Sequence, residues 1–147
     1  MKVAWALENS ILINAPLWWV WRCMCDVLHW PTLNPVGLYG RPLGLNEKFR
    51  FTIRPLGLPI NVKATVSDFR PLQVLGWQGR FCGIHSKVGI SFQEQDKQKT
   101  MLKFQENLEG WGLLVFSAIF SMKRLVEINH NWLAALALQC EASKPVE

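Results

Sequence analysis

The chain has 147 residues, enough for one sizeable core and too few for two, so a single domain over 1–147 is expected. Half of the residues are apolar, 18% are charged and eight are tryptophan, which leaves two readings open: a tryptophan-rich core, or a cavity lined for an apolar partner. The net charge of +5 comes from sixteen scattered Lys and Arg that form no basic stripe, which argues against a nucleic-acid partner and leaves the charge a role in solubility.

The first element expected is a strand over Val3 to Asn14, alternating around Ser10-Ile11-Leu12-Ile13 and stopped by Ala15-Pro16. Glu8, Asn9 and Ser10 interrupt its apolar run, so the N-terminus does not read as a secretory signal. Pro16 suits the first turn of a helix. Leu17 to Leu28 reads as that helix, whole or broken into two near Cys25-Asp26, and its expected place is over an open edge of a sheet. Pro31, Pro35, Gly37, Gly40 and Pro42 then mark a loop through Gly44 that no helix can cross.

Five strand candidates follow as a meander: Glu47–Arg54, Ile60–Phe69, Gln73–Arg80, Ile84–Gln95 and Thr100–Glu109. Pro55 to Pro59, Arg70-Pro71, Cys82-Gly83 and Gln95 to Lys99 separate them with turn chemistry. Two-residue parity assigns Phe49, Phe51 and Ile53 to one face, as it does Ile60, Val62, Ala64 and Val66, and Leu75, Trp77 and Phe81. In the last strand Thr100, Leu102, Phe104, Glu106 and Leu108 share a face, which sets one carboxyl among large apolar side chains.

Gly112 to Glu141 contains no proline and reads as one C-terminal helix of about eight turns. Val115, Ala118, Ile119, Met122, Leu125, Val126, Trp132, Leu133, Leu136 and Cys140 draw its apolar stripe, with Lys123, Arg124, Glu127, His130 and Asn131 opposite. The longest apolar run, Trp111 to Met122, is too short to span a bilayer. Cys23, Cys25, Cys82 and Cys140 show neither zinc-site nor disulfide-framework spacing, so reduced thiols and a cytoplasmic location are expected. No P-loop, dinucleotide glycine pattern, G-x-S-x-G elbow or H-E-x-x-H occurs, three scattered histidines argue against a metal site, and no cofactor is implied.

The order strand, two short helices, meander and long helix resembles the START/polyketide-cyclase superfamily, the helix-grip fold of SRPBCC proteins. The resemblance spans nearly the whole chain and rests on Ile11 to Pro16 with Val20-Trp21, Asp26 to Pro35, Arg70 to Gly79 and Thr100 to Gly110. It implies an α+β domain, a curved antiparallel sheet of about six strands wrapped around the C-terminal helix. It also implies a deep cavity between them, used by relatives to bind lipids, sterols, polyketides or plant hormones and by some to cyclise or dehydrate them. Fold does not select among those uses.

Glu106 is the first candidate for catalysis, because a carboxyl on an apolar face loses hydration and can act as acid or base near neutral pH. The alternative is a structural Glu bonded to Arg80, to another basic side chain or to a backbone amide. His85 and Asp68 are the other catalytic candidates: the imidazole titrates near pH 7, although parity sets it opposite Ile84, Val88 and Ile90, and Asp68 follows the inward parity of Ile60 to Val66 at a strand end. The expected ligand-binding set is Trp30, Phe49, Phe51, Val62, Val66, Trp77, Arg80, Phe104, Met122 and Asn129. His29 stands either at the cavity mouth or as a loop cap, and His130 on the polar stripe. Two functions follow: a cofactor-independent cyclase, dehydratase or isomerase using acid–base chemistry, or a non-catalytic carrier of a lipid or hydrophobic metabolite. The expected partner is a small hydrophobic molecule, with transient membrane-surface contact through Trp111 to Met122 and a monomer or homodimer as the assembly; an interaction module of the cochaperone kind is a weaker third reading.

Overall fold

The structure, a computed structural model, describes residues 4–31, 33, 43–54 and 57–145. The expected loop through Asn34, Pro35, Gly37, Gly40 and Pro42, and the turn residues Pro55 and Leu56, lie outside the described residues.

Six strands form one antiparallel sheet: β1 (Ala4–Ile13), β2 (Lys48–Ile53), β3 (Ile60–Arg70), β4 (Val74–Phe81), β5 (Ile84–Asp96) and β6 (Lys99–Glu109). Their order across the sheet is β1-β6-β5-β4-β3-β2. Hairpins link β2 through β6, and β1 returns to pair with the last strand, Leu7 opposite Glu106 and Ile13 opposite Thr100. Both edges therefore belong to the strands that flank the one long connection.

That connection begins with α1 (Leu17–Cys25) and a single 3₁₀ turn (Val27–His29). Pro16 precedes α1, and its carbonyl accepts the Trp19 and Val20 amides. The expected break near Cys25-Asp26 is where the α-helix ends. Val20 and Met24 are buried, and Trp21 lays its ring against Phe69 and Phe92, so α1 covers one end of the sheet.

The expected single helix from Gly112 is two helices, α2 (Gly112–Ile119) and α3 (Met122–Ser143). Phe120 is extended between them and buried, while the Ser121 hydroxyl accepts the Arg124 amide at 3.1 Å and caps α3. A buried anchor followed by a good N-cap restarts the helix in a new direction. The apolar stripe consequently does not continue across the break: Val115 and Ile119 are each 63% exposed and Met122 43% exposed. Only from Leu125 onward does the stripe meet the sheet, through Trp132, Leu133, Leu136, Ala137 and Cys140.

Two apolar clusters fill the concave face. The larger gathers Ile13, Met24, Trp30, Phe49, Val66, Leu75, Trp77, Phe104, Trp132 and Leu133 between sheet, α1 and α3. The smaller gathers Leu7, Ile84, Leu108, Leu113, Phe120 and Leu125 under α2. The start of α2 is fastened to the β4–β5 turn, where the Gly112 amide donates to the Gly83 carbonyl at 3.1 Å. A Cβ on Gly112 would run into the Cys82 carbonyl oxygen, a backbone atom that cannot rotate away. Gly112→Ala is expected to push α2 off the turn and to lower stability by about 1–3 kcal/mol, read as an earlier urea midpoint; an unchanged midpoint would show that this approach is not needed.

Candidate functional site

Between the two clusters lies a cavity of about 70 Å³. Phe51, Val62, Trp77, Val88 and Phe104 contribute from the sheet, Phe116 from α2, and Leu125, Ile128 and Trp132 from α3. Into this apolar wall project three polar side chains, Ser86, Glu106 and Asn129. Each is delivered by an element whose neighbours are buried: Glu106 alternates with Phe104 and Leu108 on β6, Ser86 with Ile84 and Val88 on β5, and Asn129 follows Leu125 by one turn on α3.

The three form one bonded group. The Ser86 hydroxyl donates to Glu106 Oε2 at 2.6 Å and the Asn129 amide donates to Oε1 at 3.0 Å. Burial pushes the Glu106 carboxyl above its usual range, opposed only in part by these two hydrogen bonds. The expected alternative partner for Glu106, a basic side chain such as Arg80, is not what holds it: both partners are neutral. Neutral donors leave the pKa raised where a guanidinium would have lowered it. Ser86 can also accept, so its hydroxyl suits the protonated as well as the ionised acid.

Two further polar atoms nearby are buried with no hydrogen-bond partner among the described residues, the indole N–H of Trp132 and Oδ1 of Asn9. Trp132 is 6% exposed and forms part of the cavity wall. A buried donor without an acceptor carries a desolvation cost of about 1–3 kcal/mol, which a ligand oxygen or a water could relieve.

The residues singled out from the sequence divide into groups. Phe51, Val62, Trp77, Phe104, Glu106 and Asn129 line the cavity together. Trp30, Phe49 and Val66 are buried in the larger cluster behind it. Trp30 packs its ring on Phe49, Trp77 and Trp132 at centroid distances of 5.6, 5.4 and 5.2 Å. Those rings pack between sheet and α3 directly beside the cavity.

Four expected site residues lie elsewhere. Asp68 follows a β-bulge between Val66 and Asp68, so its parity is reversed. Phe69 packs on the core in its stead and Asp68 pairs with Arg70 at 3.3 Å on the exposed face. His85 and Arg80 pair in register with each other and with Lys63 on the outer face of the sheet. His85 there contacts Gln78 at 3.2 Å and Glu109 at 3.9 Å. Met122 opens α3 on the exposed side of the helix break. His29 is a cap at the end of the 3₁₀ turn, bonded to Asp26 at 2.7 Å, and its pKa is raised by that carboxylate; His130 is exposed on α3.

Two polar residues of the cavity, Ser86 and Trp132, are not among the site residues expected from the sequence. Ser86 carried a signal, since it is the polar member of the inward set Ile84, Ser86, Val88 and Ile90. Trp132 was placed on the apolar stripe, but nothing in the sequence marks its N–H as unpaired.

A six-stranded antiparallel sheet wrapped on one long C-terminal helix, with α1 and a 3₁₀ turn after the first strand, is matched across nearly the full chain by solved structures. The Zhui aromatase/cyclase from Streptomyces sp. R1128 superposes with a TM-score of 0.71 at 14% identity, covering 95% of this chain and 94% of that one. This is the helix-grip fold. Norcoclaurine synthase from Thalictrum flavum, solved with dopamine and hydroxybenzaldehyde, superposes with a TM-score of 0.67 at 12% identity, covering 99% of this chain and 91% of its own. A protein of Thermus thermophilus reaches a TM-score of 0.75 at 15% identity, covering 95% and 99%. No family model matches the sequence, and no curated protein matches it either. Among the described residues no helix is long and apolar enough to cross a membrane.

Proposed function

We propose that this helix-grip protein binds a small apolar molecule carrying a carbonyl group in the cavity between sheet and α3. We further propose that Glu106 performs the proton transfers of a cyclase, dehydratase or isomerase reaction there. The observation that carries this reading is a buried carboxyl held by two neutral donors, Ser86 and Asn129, with its pKa raised. Such an acid is poised to take a proton from carbon next to a carbonyl and to return it to oxygen. The unmet N–H of Trp132 supplies a donor for the carbonyl oxygen. Phe51, Val62, Trp77 and Phe104 give the flat apolar walls that hold a chain or ring in a reactive fold. Two matched structures, an aromatase/cyclase and norcoclaurine synthase, support the reading by the chemistry in their names.

A cavity of about 70 Å³ is well below the roughly 300–1,000 Å³ typical of ligand pockets, so the site must open to admit substrate. The element suited to move is α2, whose outward side carries Leu114, Val115 and Ile119 at more than half exposure and whose inward side is anchored by Leu113 and Phe116.

That same exposed helix favours a second reading, a carrier that touches a bilayer. Trp111, at 74% exposed, leads into α2, and Lys123 and Arg124 follow it at the start of α3, an apolar segment with adjacent cations. Native mass spectrometry of freshly purified protein, with extraction of any bound molecule and incubation of the emptied protein with a linear poly-β-keto thioester, decides between the two. Conversion of the thioester to a cyclised or dehydrated product supports the enzyme. A stoichiometric, unchanged lipid with no conversion, together with flotation on anionic liposomes, replaces it by the carrier.

A further inference from the structure

Away from the cavity, α1 and α3 bring together two of the four cysteines. Cys23 is half-buried on α1 and Cys140 is 1% exposed on α3. Both residues line a recess of about 250 Å³ between the helices, with Arg22, Asp26, Gln139 and Ser143. Two long-range hydrogen bonds fix the helices on either side of the pair. The Trp19 indole donates to the Cys140 carbonyl at 2.9 Å, and the Gln139 amide donates to the His29 carbonyl at 2.6 Å. The two cysteines are therefore held on neighbouring helices around one recess that opens to solvent.

We propose that Cys23 and Cys140 are a peroxide-oxidisable dithiol whose disulfide locks α1 to the C-terminal helix. The proposal is independent of what the cavity binds.

The two sulfurs have different chemical tasks. Cys140, Ser143 and Arg22 beside it hold the Cys23 thiol below its ordinary range, against the effects of burial and Asp26. Cys23 in turn, with burial, pushes Cys140 up. Cys23, half-buried where Cys140 is almost fully buried, is the thiol that meets oxidant, and Cys140 the one that resolves the product. The Cys23 thiolate attacks one oxygen of hydrogen peroxide; an S–O bond forms, the O–O bond breaks and hydroxide leaves as water once protonated. The Cys140 sulfur then attacks the Cys23 sulfenic acid; an S–S bond forms, the S–O bond breaks and the second water departs with the Cys140 proton. Two electrons pass from the thiols to one peroxide, giving two waters and the disulfide. The disulfide brings the sulfurs of two residues that flank one recess to a bond of about 2.05 Å.

The other two cysteines are not equivalent. Cys25 is buried, and burial pushes its thiol up to about 12. Cys82 is exposed at the β4–β5 turn and would react singly, so the test is made on the full chain carrying Cys82→Ser. After hydrogen peroxide, the monomer is expected to lose two hydrogens and to yield one peptide pair joined through Cys23 and Cys140, reversed by dithiothreitol. The oxidised form is expected to melt about 5 °C or more higher, because the bridge closes a loop of over a hundred residues. Conversion of Cys23 to sulfinic acid with Cys140 still reduced, or its linkage to Cys25 or to a second chain, would overturn the proposal. A measurement without oxidation stands beside it: phenylarsine oxide, whose trivalent arsenic bridges two thiols, should bind one to one and lose that binding in Cys23→Ser. Undiminished bridging in that variant would also overturn it.

Discussion

Glu106→Gln is expected to lower turnover of the offered carbonyl substrate by at least about 100-fold while leaving the fold and ligand affinity intact. Glutamine fits the pocket as the neutral acid does: its carbonyl can accept from Asn129 and its amide can donate to the Ser86 oxygen, in place of the bonds observed at 3.0 and 2.6 Å. It cannot exchange a proton. Turnover equal to the parent protein would remove Glu106 from the mechanism. The same variant gives a reading that needs no substrate. Because the folded-state pKa of Glu106 is raised from 4.5, folding favours the protonated form. The stability this group contributes is present in full below about pH 4.5 and is lost as pH rises through the folded-state value. Urea midpoints across that window should therefore show the parent falling relative to Glu106→Gln, and a pH-independent difference would deny the raised pKa. Ser86→Ala removes a bond that lowers the pKa, so it should move the titration, and the corresponding limb of the rate profile, to higher pH.

The strand pattern was almost wholly legible because the period of two is local and the sheet is covered on one side only. The expected strands differ from the observed ones by one residue at most ends, and the inward sets Phe49/Phe51 and Phe104/Glu106/Leu108 are as the alternation requires. Parity already sets His85 opposite Ile84, Val88 and Ile90, and it separates Arg80 from its inward neighbours in the same way. Arg80 lies between Gly79 and the inward Phe81, and His85 between Ile84 and Ser86, so alternation alone sends both outward. Asp68 failed for a different reason: a bulge inserts one residue without any glycine or proline to announce it, and every side chain after it changes face. The break at Phe120-Ser121 is equally silent, since a serine inside an apolar run reads as a tolerated helix residue until its hydroxyl is seen to accept the Arg124 amide. Cavity size was out of reach altogether. It depends on how Trp30, Trp77 and Trp132 meet in space, and those residues are more than a hundred positions apart at the extremes.

Those rings set the second large effect. Trp30→Ala is expected to lower stability by about 3–5 kcal/mol, a large part of the roughly 5–15 kcal/mol typical of a whole domain. The indole is 4% exposed, meets Phe49, Trp77 and Trp132, and donates to the Met24 carbonyl at 2.8 Å. Truncation removes all three ring contacts and leaves that carbonyl without its donor, so both a transfer and a cavity contribution enter the cost. It also vacates the space directly behind Trp77 and Trp132, which form the cavity wall. If the aromatic block is what keeps the cavity small, the variant should bind indole or a similar flat apolar molecule and recover part of the lost melting temperature, whereas the parent should not respond. A destabilised variant that gains no binding would mean that α3 settles onto the sheet and closes the space. The size of the site would then be set by the approach of helix to sheet and not by the tryptophans between them.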